Sequence, residues 1–147
     1  MNQVTAHLSD NELAAYFALR AAGERLQRAV TQQLRSYDLT EVQFSILAQL
    51  DAAAEGVGMS DLARSLVVTK SGLTYQAGQL EGRGLVTRRG NAKDDRAVLL
   101  QLTADGQSLL AQVMPAHVAL VRELFIDRMS PADLAIIRDR LAQVAQD

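Results

Sequence analysis

The stretch MSDLARSLVVTKSGLTYQAGQLEGRGLVTRRGNAKDDRAVLLQLTADG, Met59 to Gly106, decides how this chain reads. It begins with two short apolar-periodic segments in quick succession. Ser60 is the expected cap of the first helix, which carries Leu62, Ala63 and Leu66 on its inner face. Thr69 is expected to cap the second, with Leu73, Ala77 and Leu80 turned inward. After Gly82 and Gly84 the pattern changes to strands. Leu85–Arg89 and Ala97–Leu102 flank a polar tip rich in Gly, Asn and Asp, which predicts a hairpin with a long loop. Two helices joined by a tight turn and followed at once by a basic hairpin make a winged helix-turn-helix.

Upstream, Ser9-Asp10-Asn11-Glu12 resembles a capping box and opens a long apolar stripe of Leu13, Phe17, Ala21, Leu26, Val30 and Leu34. A second box, Thr40-Glu41-Val42-Gln43, starts a helix carrying Phe44, Leu47 and Leu50, expected to fade at Glu55-Gly56-Val57-Gly58. Downstream, Thr103 with Asp105 restarts a helix through Leu109, Leu110 and Val113. Pro115 is expected to kink it or tighten a turn before it resumes to Phe125. Ser130-Pro131-Ala132-Asp133 opens the last helix, where Leu134, Ile137, Leu141 and Val144 form one apolar edge.

The first stripe would span roughly 30 Å at about 1.5 Å per residue. The central unit is too compact to cover it and the last two helices together. Leu13, Phe17, Leu134, Ile137, Leu141 and Val144 are therefore expected to form a two-fold interface with a second copy of the chain. The expected fold class is mainly α with a small β-hairpin wing. It places a winged helix-turn-helix over 38–103 and dimerisation helices in 1–37 and 104–147.

Composition excludes several classes. A chain of 147 residues can bury one core, and 48% hydrophobic content is far from that of a disordered polymer. No cysteines are present, so disulfides, thiolate metal sites and cysteine redox sensing are excluded. No apolar run approaches the roughly 18 residues of a bilayer span, and no membrane association is expected. The start, MNQVTAHLSDNE, lacks a basic region followed by an apolar core, so a cytoplasmic location is expected. Net charge is −2, yet Ser60–Arg96 carries seven basic and four acidic residues. That local excess suits phosphate contact better than the total implies.

An enzyme reading is poor. His7 and His117 are isolated, with no glycine-rich phosphate loop or paired-histidine metal motif. Asp94 and Asp95, taken alone, would suit a metal, a shared proton or a shaped loop. On a hairpin tip nothing excludes water or raises a carboxyl pKa, so no catalytic residue, metal or cofactor is expected.

The second helix of a helix-turn-helix enters the major groove by its N-terminal residues, offering unpaired amides and a positive dipole end to phosphates. Here Lys70, Ser71, Thr74, Tyr75 and Gln76 fall largely on the side away from Leu73, Ala77 and Leu80. Lysine suits phosphate or guanine, glutamine suits adenine, and a threonine methyl can meet thymine. Ser60, Arg88, Arg89, Lys93 and Arg96 complete the candidate contacts to double-stranded DNA.

In order and at this spacing, the D-L-A, T-K-S, L-E-x-x-G-L-V turn, wing and L-T-x-x-G elements resemble the MarR family of bacterial transcription regulators. The preceding YDLTEVQFSILAQL and the outer helices fit too, so the likeness covers nearly all the chain. It implies a homodimer held by its terminal helices, probing a pseudo-palindromic operator whose half-sites lie about one helical turn apart. Family wings usually carry D-x-R, matched here by Asp94-Asp95-Arg96. The resemblance implies that Arg96 reaches the minor groove, and a carboxylate at Asp94 would hold its guanidinium by charged hydrogen bonds. Tyr75 and Asp95 depart from the pattern: relatives often have a basic residue at the first and a basic or neutral one at the second.

The resemblance also implies a small phenolic or anionic effector bound between the dimer helices and the winged unit. Tyr16, Arg20, Tyr37, Phe44 and His117 are the candidate liners, with arginine for a carboxylate and aromatic groups for a ring. The expected function is a homodimeric DNA-binding regulator, most simply a repressor, released by such a ligand. The alternative is a ligand-independent dimeric module for DNA or protein binding.

Overall fold

The computed structural model describes residues 6–91 and 94–146. In chain order these form α1 (Asp10–Arg35), α2 (Glu41–Asp51), β1 (Val57–Gly58), α3 (Met59–Leu66), α4 (Lys70–Gly82), β2 (Val86–Asn91), β3 (Asp94–Leu102), α5 (Ala104–Leu124), a 3-10 turn (Ile126–Arg128) and α6 (Pro131–Ala145). The fold is mostly helical with one small antiparallel sheet, as expected of a winged helix-turn-helix. Two compact units are distinguishable: 31–119, which holds the winged elements, and a terminal unit of 1–30 with 120–147.

Local hydrogen bonding explains most helix starts. Ser9 and Glu12 bond reciprocally at the head of α1, as Thr40 and Gln43 do for α2 and Ser130 and Asp133 for α6. Each pair satisfies two donors that a helix end would otherwise leave to water. Thr69 accepts from the Gly72 amide at 3.0 Å to open α4, and Thr103 does the same for Gly106 at the head of α5.

Ser60 does not cap α3. The helix starts at Met59 straight out of β1, with Gly58 in the cap position and no side-chain cap bond. The cause is an unforeseen third strand. Val57 and Gly58 pair with Leu100 and Leu99, giving a sheet of order β1-β3-β2. Its hydrogen bonds carry the chain to Gly58, which leaves no residue to spare before the helix. Gly56 makes the approach possible: its φ is +97°, and a Cβ there would sit 2.8 Å from the Leu100 carbonyl oxygen.

Two more expectations need correction. The strands run to the wing tip, Val86–Asn91 and Asp94–Leu102, with a register irregularity between Gly90 and Asn91. No turn forms at Pro115, which lies inside α5, a single helix from Ala104 to Leu124. The segment Ala104–Arg128 is also long and apolar enough on average to cross a membrane, although no run of consecutive apolar residues is. Gly106, Leu110 and Val113 of the same helix are buried in the winged unit, a use that composition alone does not reveal.

The core of the winged unit is Leu34, Ile46, Leu47, Leu50, Leu62, Leu73, Leu80, Val86, Leu100 and Val113, all fully buried. It fixes α4 by Leu73, Ala77 and Leu80, the three positions expected to face inward.

The turn between α3 and α4 carries strain. Val67 has φ 55°, ψ 49°, a left-handed conformation that a β-branched residue rarely adopts. It arises because Val67 and Val68 donate to the Arg64 and Ala63 carbonyls and so close α3 by a Schellman pairing. The Val67 side chain is 84% exposed, so its removal forfeits little contact. Val67→Gly is expected to raise stability by about 1 kcal/mol, read as a higher urea midpoint at fixed protein concentration. A lowered midpoint would show that the side chain makes stabilising contacts that outweigh the strain.

Candidate nucleic-acid interface

The candidate recognition element is the N-terminal end of α4. Thr69 closes the first turn, and its hydroxyl also lies 3.3 Å from that of Ser71. Lys70, Ser71, Thr74 and Tyr75 are exposed, opposite the buried Leu73, Ala77 and Leu80. The Thr74 hydroxyl donates to the Lys70 carbonyl at 2.8 Å, which occupies its only proton within the helix. Tyr75 projects a large amphipathic ring into solvent at the position where the family pattern favours a base.

Gln76 stands apart from this exposed set. It is half-buried, and its Oε1 accepts a 2.9 Å hydrogen bond from Gln43 Nε2 on α2. Gln43 is the one buried polar residue of the described core. Its Oε1 is already taken by the Thr40 amide of the capping box. Sequence reasoning identified the cap but not its second partner, because the two glutamines lie 33 residues apart.

The basic strand divides similarly. Arg88 lies along α4: its Nη2 donates to the Thr74 carbonyl at 3.5 Å and its Nε is 3.6 Å from Glu81 Oε1. This arginine braces the wing strand against the recognition helix. Arg89 is exposed on the same strand. Lys93, and the side chains of Asp94, Asp95 and Arg96, lie outside the described residues, so the brace expected between Asp94 and Arg96 falls there too. Ser60 is exposed in the first turn of α3.

Arg83 was not singled out in the sequence. Its Nη1 donates to the Asp38 carbonyl at 2.6 Å and its Nη2 to the Tyr37 carbonyl at 3.3 Å. It thereby ties the end of α4 to the turn after α1, where Asp38 is left-handed at φ 53°. A cation at a helix C-terminus also suits the dipole there. No local pattern marks this role, since it depends on two backbone carbonyls, the nearer of them 45 residues away.

The five candidate effector liners separate into two groups. Phe44 and His117 are in contact, with ring centroids 4.6 Å apart, in the winged unit. Phe44 is part of the buried core there, and Tyr37 is half-buried. His117 Nδ1 is buried with no hydrogen-bond partner among the described residues. Burial pushes the His117 pKa below its ordinary value, against an opposing pull from Glu41, so the imidazole is neutral at pH 7. Tyr16 and Arg20 pair with each other in the terminal unit: Arg20 Nη1 donates to Tyr16 Oη at 3.4 Å, and its guanidinium lies 5.8 Å from the ring centroid. Arg20 is also 3.8 Å from Glu24. Among the described residues no group of acidic, histidine or cysteine side chains is arranged to hold a metal.

Leu13, Phe17, Leu141 and Val144 are exposed apolar residues of the terminal helices, and Leu134 and Ile137 are half-buried. Phe17 is 56% exposed, with its ring 5.7 Å from that of Tyr16.

Comparison with known proteins agrees with this architecture. The sequence model of the MarR family matches residues 37–97, which includes both helices of the helix-turn-helix and the wing as far as the first residues of β3. AbsC, a MarR family transcriptional regulator from Streptomyces coelicolor, superposes with a TM-score of 0.90 at 32% identity, covering 96% of each chain. Sco3205 from the same organism, a MarR family regulator solved in complex with DNA, gives 0.89 at 26% identity, covering 98% of this chain and 91% of that one. CouR from Rhodococcus jostii RHA1, solved bound to p-coumaroyl-CoA, gives 0.83 at 26% identity over 96% of each chain.

Proposed function

Because the chain belongs to the MarR family of transcription regulators and is not an enzyme, we propose that it acts as a homodimer on a pseudo-palindromic operator. The observation that carries this reading is the exposed polar end of α4 (Lys70, Ser71, Thr74 and Tyr75) held on a back face of buried Leu73, Ala77 and Leu80. A rigid helix with one apolar anchor and a free N-terminal turn can enter a major groove and offer amides and a lysine to phosphate. Arg89, Lys93 and Arg96 of the wing would reach the neighbouring backbone or minor groove, with Asp94 positioning Arg96. Ser60 would touch phosphate from α3. Sco3205 binds DNA, and its likeness to this chain supports the same use.

Dimerisation through segments 1–37 and 104–147 would cover Leu13, Phe17, Leu134, Ile137, Leu141 and Val144. The exposure of Leu13, Phe17, Leu141 and Val144 in a single chain supports it, because an apolar helix face left in water favours association. A dimer bound across a promoter excludes polymerase, so repression in the cytoplasm is the simplest outcome.

An aromatic or anionic effector that stabilises a mismatched spacing of recognition helices would release the operator by its differential affinity for that state. CouR binds an aromatic acyl thioester, which supports a ligand of that class. His117, whose ring lies against Phe44 and whose Nδ1 has no partner among the described residues, is the best-placed polar group. The second reading, a ligand-independent module, draws on Arg20: its guanidinium is already engaged by Tyr16 and Glu24. Titrating operator binding with a panel of phenolic acids at fixed salt separates the two.

Selection of bound sequences from random DNA tests the main proposal, and two half-sites about one helical turn apart are expected. On the selected operator, Arg96→Ala is expected to weaken binding and reduce the salt slope by about 1. An unchanged slope would remove Arg96 from the contacts.

A further inference from the structure

We propose that Gln43, a buried residue of α2, sets the polarity with which Gln76 reads a base, so that this protein selects a keto base where a free glutamine would read adenine. The inference rests on the proposal that α4 enters the major groove.

The capping box orients the first amide. The Thr40 amide can only donate, so the Gln43 atom that receives it at 3.1 Å must be the carbonyl oxygen Oε1. The orientation of the Gln43 amide is thereby determined. Its Nε2 must point the other way, and it donates to Gln76 at 2.9 Å. The Gln76 atom that accepts must in turn be Oε1. One local cap therefore orients two amides in series, across two helices.

The consequence falls on the far side of Gln76. Bidentate recognition of adenine needs both ends of a glutamine amide: the oxygen accepts from N6 while the nitrogen donates to N7. Here Gln43 holds one of the two lone pairs of the oxygen and draws that end toward α2, so the nitrogen is the end free to turn outward. Gln76 Nε2 has no partner among the described residues, and it carries two protons. In the major groove guanine offers two adjacent acceptors, O6 and N7, and thymine offers O4; adenine offers N7 alone, beside an amino group that competes for the same space as a donor, and cytosine offers no acceptor.

Gln43 is only 7% exposed, so the bond to Gln76 is shielded from competing water. Reversing the Gln76 amide would place its Nε2 against the Gln43 Nε2, donor to donor. That state loses one hydrogen bond and leaves a buried donor unpaired.

Gln43→Glu inverts the arrangement without disturbing the cap, because glutamate at this position also accepts from the Thr40 amide. Its second oxygen can only accept when ionised. The Gln76 amide must then turn over, donate to the new carboxylate and present Oε1 to the groove.

The test is selection from random DNA at pH 8.5 with wild type, Gln43→Glu and Gln76→Ala, each first confirmed as folded by thermal melting. Wild type is expected to prefer guanine or thymine over adenine or cytosine by about tenfold at one position of each half-site. Gln76→Ala is expected to erase that preference and leave the others. Gln43→Glu is expected to reverse it, favouring an amino base on the same strand. A Gln76-dependent preference for adenine in wild type would overturn the inference, and needs no core variant to be seen. So would unchanged selection by Gln76→Ala, or the same keto base selected by Gln43→Glu. If wild type enriches no sequence at all, the groove-binding reading fails and takes this inference with it.

Discussion

Gly106→Ala is expected to destabilise the protein by about 3 kcal/mol or more, at the upper end of what overpacking costs. Gly106 lies in the first turn of α5, where the chain leaves β3 and passes close to Leu85 and Leu102. A Cβ built there would overlap the Leu85 carbonyl oxygen and lie 2.6 Å from Leu102 Cδ1. The carbonyl cannot move aside, because it accepts the Thr103 amide at 3.1 Å. Thr103 is held in turn, donating from Oγ1 to the Gly84 carbonyl at 2.7 Å while accepting from the Gly106 amide. A methyl group must therefore break this latch or push α5 off the sheet. Gly23→Ala is the control: nothing lies within 4 Å of its added Cβ, and helix propensity alone should stabilise α1 by about 1 kcal/mol. The two variants are expected to move the urea midpoint in opposite directions. A Gly106→Ala midpoint at or above wild type would refute the close packing described here.

The second large effect is expected from Phe17→Glu. Phe17 is exposed on α1 in the single chain, so the substitution removes little packing within it. In the proposed dimer the same position would bury a carboxylate near its two-fold copy, where like charges are costly. The variant is expected to sediment as a monomer while retaining its helical circular dichroism. Operator affinity should then fall by about 100-fold or more, because the second half-site is no longer delivered at high effective concentration. A variant that stays dimeric and binds as wild type does would falsify the assignment of Phe17 to the interface.

Both predictions turn on residues whose importance the sequence reveals unequally. Gly106 closes the L-T-x-x-G element, so its presence in a recognisable pattern was visible, but not the reason. Phe17 was legible as one position of a helical stripe, because apolar spacing reports which face avoids water whether or not the cover is in the same chain. The recognition helix was legible for the same reason: Leu73, Ala77 and Leu80 declare the inner face, and Lys70, Ser71, Thr74 and Tyr75 are what remains.

Less legible was what those polar residues do once packed. Arg88 counted as one more positive charge of the wing, yet it is engaged by the Thr74 carbonyl and Glu81 of the neighbouring helix. Gln76 counted as an exposed reader, yet half of its amide belongs to Gln43. Charge and polarity can be counted along a sequence, but partners cannot, since a hydrogen bond is settled within about 3 Å of distance and a definite angle.

By itself, then, the sequence determined the helices, most of their starting points and the apolar faces. A capping bond reaches only three residues, as from Ser9 to Glu12, Thr40 to Gln43 and Ser130 to Asp133, so its partners are always near one another whatever the rest of the chain does. Only the tertiary structure decided the third strand at Val57, the Arg83 clamp on Tyr37 and Asp38, the close approach at Gly106 and the pairing of Gln43 with Gln76. Each of these joins atoms far apart along the chain, and only the packing of the whole winged unit around its leucine core brings them within bonding distance.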